Sequence, residues 1–248
     1  MTRNRHDSAY SFYSFYIYYK YYNHYNHYNH YNHYNHYNHY KYYNHKKISK
    51  DNMQKRRVGI YSGSFNPIHL GHVRLAEFIC SEDLVDEVWL MVSPLNPLKQ
   101  GQTLEPDAHR LAMAKIATTH CPKIQPSDFE FDLPKPNYTY RTLSQLRTAY
   151  PDCDFTLIVG SDNWLIFDKW RNWQEIIDEF GLLVYPRPGY DVDESNMPAN
   201  VRLLAEAPVT DLSSTEIREA LTSCKDTSEM LNSAVRDYII SNGLYLNL

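Results

Sequence analysis

Val58-Gly59-Ile60-Tyr61-Ser62-Gly63-Ser64-Phe65-Asn66-Pro67-Ile68-His69-Leu70-Gly71-His72 is the stretch whose reading decides the fold. Val58 to Tyr61 is a short apolar run, as a buried strand requires. Ser62, Gly63, Ser64, Asn66 and Pro67 are turn formers. His-Leu-Gly-His then leads into residues 73–79, whose apolar spacing predicts an amphipathic helix. A strand therefore hands over, through a glycine-containing loop, to a helix with His69 and His72 at its entrance. A helix entrance presents unpaired N–H groups and a positive dipole end, which suit phosphate. Two imidazoles at i and i+3 there can meet one anion.

The rest of the body reads outward from that unit. Residues 86–92 form a second apolar run, ending in a loop broken by Pro94 and Pro97 and carrying Lys99. Strand, helix, strand implies a parallel sheet with right-handed crossovers, and ligands bind beyond the carboxyl ends of such strands. Lys99 would place a point charge there. Residues 107–117 predict an amphipathic helix starting at Pro106 and Asp107. In it, His109 and Arg110 read as structural or surface groups. A short strand is expected at 128–131. A helix capped by Asn137 or Thr139 should follow, running to about Tyr150.

Residues 154–160 predict a clear strand ending in Gly-Ser-Asp. Gly160 permits close approach of a ligand. Asp162 suits ribose hydroxyls, and equally an N-cap. Further strands are expected at 180–185 and near 201–204, with a polar loop between them. Ser213 or Ser214 should open a helix carrying Arg218. Hydroxyls, helix N–H groups and a guanidinium fork together suit a triphosphate. A last helix is expected at 229–241. The fold class expected is α/β, a Rossmann-like parallel sheet flanked by helices.

Two parts of the chain differ sharply in composition. Residues 1–52 hold fifteen of the 23 tyrosines and eight of the 12 histidines, with Tyr-Asn-His repeated six times from Tyr22 to His39. Such a low-complexity stretch has almost no aliphatic residues for a core, so a disordered N-terminal tail is expected. Its histidine row would suit transition metals, which makes a metal-binding protein the non-enzyme alternative. Perfect tripeptide identity instead suggests a tandem DNA repeat, with Met53 as the true start. Residues 53–248 carry 18 Lys/Arg against 27 Asp/Glu, a formal charge of −9. That balance disfavours a nucleic-acid binder. Cys80, Cys121, Cys153 and Cys224 lack metal or disulfide spacing and suit a reducing cytoplasm. No run of about 18 apolar residues predicts a membrane span.

Gly63 to His72 resembles the first signature of the nucleotidyltransferase superfamily with the His-x-Gly-His motif, and within it the bacterial nicotinate mononucleotide adenylyltransferases. The superfamily's second signature is matched by Ser213, Ser214, Thr215 and Arg218. Softer matches are Tyr138-Thr139, Gly160 and Asp162 with Trp170 eight residues on, and Arg187-Pro188-Gly189-Tyr190. The resemblance implies transfer of AMP from ATP to nicotinate mononucleotide, with Mg²⁺ carried mainly on the phosphates. It implies catalytic roles for His69, His72, Lys99 and Arg218. It places Gly63, Ser64, Phe65, Gly71, Gly160, Asp162, Arg187, Ser213, Ser214 and Thr215 around ATP. It places Tyr138, Thr139 and Trp170 around the pyridine ring, with Trp164 and Trp173 as alternatives to Trp170. The chain departs from the pattern at Ser64 and Asn66, where relatives often carry Thr and Asp, and in lacking a histidine before Lys99. Adenylyltransferases for the amide nucleotide or for phosphopantetheine are the nearest alternatives. The sequence leaves the homo-oligomeric state open.

Overall fold

The computed structural model describes residues 54–94 and 104–246. All elements below belong to the unit Lys55–Leu248. The expectations for the tail at 1–52 and for Lys99 fall outside the described residues.

Six strands form one parallel sheet: β1 (Arg56–Gly63), β2 (Glu87–Val92), β3 (Ile124–Ser127), β4 (Cys153–Gly160), β5 (Leu182–Tyr185) and β6 (Val201–Leu203). Their order is β3-β2-β1-β4-β5-β6, and every neighbouring pair is parallel. This is the doubly wound order, whose direction of winding reverses between β1 and β4. The carboxyl ends of those two strands are Gly63 and Gly160. The switch point therefore lies where the loops after Gly63 and Gly160 begin.

Parallel sheets are covered on both faces, and alternation along the strands divides the core accordingly. Val58 and Ile60 of β1 with Phe155, Leu157 and Val159 of β4 face one layer. There they meet Leu143 and Leu146 of α3 (Thr139–Ala149) and Ile176, Ile177 and Phe180 of α5 (Trp173–Phe180). Tyr61 and Ile158 face the other layer. It is built from α1 (Leu70–Ser81), α2 (Asp107–Ala117), α6 (Ser214–Thr222) and α7 (Ser233–Ser241). Between β4 and α5 lie the short α4 (Ser161–Trp164) and a 3₁₀ turn, Phe167–Lys169.

Several local expectations are corrected. Residues 128–131 are a turn, and the strand is Ile124–Ser127. The Ser127 hydroxyl accepts from the Phe129 N–H at 3.3 Å, and the Phe131 N–H donates to the Asp128 carbonyl at 2.8 Å. Those bonds give the chain a local alternative to the ladder. The last helix begins at Ser233, because Asn232 caps it by accepting from the Ala234 N–H at 2.9 Å. Neither Asn137 nor Thr139 caps α3; Tyr138 occupies that position without a side-chain bond. Asp162 likewise is no cap, since α4 starts after Gly160.

Candidate active site

β1 delivers the chain to the loop at Ser64–Ile68, and α1 starts at its end. His69 is the N-cap residue of α1 and His72 lies one turn on. Their rings stack, with centroids 3.6 Å apart. The His69 N–H donates to His72 Nδ1 at 3.2 Å, so a neutral His72 ring carries its proton on Nε2. His69 is only 5 % exposed, and among the described residues its buried Nδ1 has no hydrogen-bond partner. Burial, aided by the Arg187 charge, lowers its pKa from 6.5 to about 4. His69 is therefore neutral at physiological pH. The Phe65 ring stands edge-on to His72 at 5.1 Å and to Tyr61 at 5.7 Å. Gly71 has no room for a side chain: a Cβ there would lie 2.6 Å from Thr210 Cγ2.

The α6 entrance grips the same loop from across the structure. Ser213 caps the helix and forms a capping box with Glu216. The Ser214 hydroxyl donates to the Pro67 carbonyl at 2.9 Å. Arg218 donates to the Asn66 carbonyl at 2.8 Å and to Thr215 Oγ1 at 3.1 Å. The two signatures, remote in sequence, are thus hydrogen-bonded to each other.

Past β4, Asp162 faces Arg187, with the guanidinium Nε 3.9 Å from its carboxylate. The Ser161 hydroxyl accepts from the Arg187 N–H at 2.9 Å. A Cβ on Gly160 would collide with the Asp162 carboxylate. Tyr61 and Tyr185 meet hydroxyl to hydroxyl at 3.4 Å, and burial pushes both phenols up. His69, His72, Gly71, Arg187 and Thr210 line one small cleft.

Tyr138 and Thr139 stand at the α3 entrance, and Trp170 follows the Phe167–Lys169 turn. Arg171 lies 4.9 Å over the Tyr138 ring. Trp170 packs on Phe167 at 5.0 Å, and its buried Nε1 has no hydrogen-bond partner among the described residues. Trp164 stacks on Phe167 as well, and Trp173 packs against the same core layer.

Sequence reasoning missed two groups. Glu130, 4 % exposed, accepts from Thr142 Oγ1 at 2.8 Å, and its carbonyl accepts from Asn137 Nδ2 at 2.9 Å. Burial pushes its carboxyl up, and the Thr142 hydroxyl draws it partly back. Asn66 accepts on Oδ1 from the Glu105 N–H at 3.1 Å and the Tyr245 hydroxyl at 2.9 Å. Nothing in local spacing announces either one, because their partners are remote in sequence.

The chemistry assembled here is that of an anion site: a helix entrance, two imidazoles and two guanidinium groups at the sheet's switch point. A family model described as cytidylyltransferase-like matches residues 60–220. A relative from Bacteroides fragilis, named probable nicotinate-nucleotide adenylyltransferase, is 49 % identical over 188 residues, 76 % of this chain and 93 % of its own. A relative of the same name from Bacteroides thetaiotaomicron is 49 % identical over 185 residues, 75 % and 91 % of the two chains. In fold, the chain is similar to the Plasmodium falciparum nicotinic acid mononucleotide adenylyltransferase complexed with NaAD. That match has a TM-score of 0.64 and 22 % identity, and it covers 77 % of this chain and 97 % of the other. On its sequence match over nearly the whole length of these relatives, the chain belongs to the nicotinate-nucleotide adenylyltransferase family of cytidylyltransferase-like proteins.

Proposed function

We propose that the protein transfers AMP from ATP to nicotinate mononucleotide, giving nicotinate adenine dinucleotide and pyrophosphate, a step of NAD biosynthesis. The observation that carries this reading is the His69–His72 stack at the end of β1, on a loop that Ser214 and Arg218 clasp from the other signature. We assign the activity to residues 53–248 and place it in the cytoplasm, which suits the free thiols of Cys80, Cys121, Cys153 and Cys224.

In the proposed reaction a phosphate oxygen of nicotinate mononucleotide attacks the α-phosphorus of ATP in line with the departing pyrophosphate. The nucleophile is already ionised, so no protein base is needed. The protein's part is positioning and stabilisation of developing charge. His72, protonated on Nε2, donates to phosphate oxygen, and neutral His69 stacks behind it. Ser213, Ser214, Thr215, Arg218 and Lys99 serve the β- and γ-phosphates. Gly63, Ser64, Phe65 and Gly71 let backbone approach them. Asp162 receives ribose hydroxyls, with Gly160 and Arg187 beside it. Tyr138, Thr139 and Trp170 form the pyridine side, where the α3 entrance favours a carboxylate over an amide. Among the described residues no group of three or more His, Cys, Asp or Glu is placed to hold a metal ion. In this reading the ATP phosphates rather than protein side chains would hold Mg²⁺, which would offset their charge.

The test is pyrophosphate release from ATP with nicotinate mononucleotide, its amide or phosphopantetheine as acceptor. The acid nucleotide should give the highest kcat/KM. A higher value for either of the others would overturn the assignment.

A further inference from the structure

We infer that Arg110 is a positioning residue for the transfer reaction, acting through the Ser64–Phe65 peptide and the Phe65 ring on His72. This rests on the function proposed above. Arg110 is fully buried, in the apolar stripe of α2 that it shares with Met113 and Ala114. A leucine or methionine would fill that stripe, and a buried guanidinium is costly unless its donors are used. Here the donors go to the ends of two central strands. Nη1 donates to the Ser64 carbonyl at 2.5 Å and to the Ser93 carbonyl at 2.8 Å. Nε donates to the Glu105 carbonyl at 2.9 Å, and Nη2 pairs with Asp107. One side chain thus ties the loop after β1 to the exit of β2.

The Ser64 carbonyl sets the orientation of its neighbour. The peptide is planar, so a carbonyl held by Arg110 turns the Phe65 N–H the opposite way. Phe65 has φ 44, a left-handed conformation that a bulky residue keeps only when its surroundings hold it there. Its ring, 1 % exposed, is the surface against which His72 stands. On the next residue, Arg218 takes the Asn66 carbonyl. Two arginines, one from α2 and one from α6, therefore fix carbonyls on either side of Phe65, and Arg110 holds the peptide that sets it. Releasing that peptide lets the strained residue relax and takes His72 with it.

The test uses the full chain with Arg110→Lys, Arg110→Met and Arg110→Ala, each checked by circular dichroism and thermal melting. For Arg110→Lys and Arg110→Met, kcat should fall about 10- to 100-fold, while KM for nicotinate mononucleotide stays within about threefold, as expected of misplacement rather than lost binding. Added guanidinium should restore part of the kcat of Arg110→Ala at concentrations that leave the wild type unchanged. Folded variants with wild-type kcat would overturn the inference, as would absence of rescue in a folded Arg110→Ala protein. Failure of all three variants to fold would make Arg110 a folding residue and overturn it too. A wild-type protein that releases no pyrophosphate defeats the functional reading and this inference together. An active wild type with unaffected variants defeats the inference alone.

Discussion

Two side chains near the site titrate away from their ordinary values, in opposite senses. His69 in the folded protein has a pKa of about 4 against an ordinary 6.5. The unfolded chain therefore takes up that proton first. The contribution of His69 to stability is complete above pH 6.5, is lost as pH falls toward 4, and is constant below, a loss of at most about 3 kcal/mol. In His69→Asn the His69 part of the slope should be missing; urea midpoints of both proteins across that pH range check it, and equal slopes would refute it. Glu130 behaves the other way, its carboxyl being raised by burial. Its contribution is present below the ordinary 4.5 and is lost as pH rises through the raised value. Glu130→Gln should therefore gain in melting temperature relative to wild type as pH rises, whereas a constant difference at all pH values would count against it. His72 is the residue on which turnover depends most. His72→Ala should keep the fold and lower kcat by about 10²- to 10³-fold, the scale of a lost charge-stabilising donor; near-normal kcat would remove it from the mechanism.

At the level of elements, the sequence is legible where an apolar run meets a glycine. β1 and β4 each end at one, Gly63 and Gly160; the loop after β4 starts where the spacing puts it, whereas β1 runs on through Ser62 and Gly63, which read as turn formers. It is illegible where a single short polar side chain redirects the backbone. Ser127 turns residues 128–131 away from the sheet, and Asn232 sets the start of α7. Those bonds compete with regular structure by small margins that periodicity does not weigh. Ser213 and Ser214, both placed at the phosphates, differ in how much each also holds the helix entrance together. Ser213→Ala removes the capping box and should destabilise by about 1 kcal/mol. Ser214→Ala releases the Pro67 carbonyl and should raise KM for ATP more than it lowers the melting temperature. The reverse pattern in melting curves and ATP titrations would show that the two roles are exchanged.

Across the whole molecule, alternation of strand and helix with right-handed crossovers is enough to imply the parallel sheet, and the switch point of that sheet lies at the loop both signatures share. What alternation cannot supply is the set of remote side chains that hold the site: Arg110, Glu130, Glu105 and Tyr245. Arg110 reads as a structural or surface group in the sequence because its partners at Ser64 and Ser93 are backbone carbonyls that only the folded chain brings near. The matched relatives align with about three quarters of this chain, at 76 % and 75 %. That share is accommodated by residues 53–248 alone. A chain beginning at Met53 should therefore keep full kcat and melting temperature, and loss of either would give the tyrosine-histidine repeat a role. The most direct test of the central claim is a competition: ATP with equal amounts of nicotinate mononucleotide and its amide, the dinucleotide products separated and weighed by mass spectrometry. The proposed function requires the acid dinucleotide to dominate, with pyrophosphate formed in equal amount. Predominance of the amide dinucleotide, or no dinucleotide at all, would contradict it.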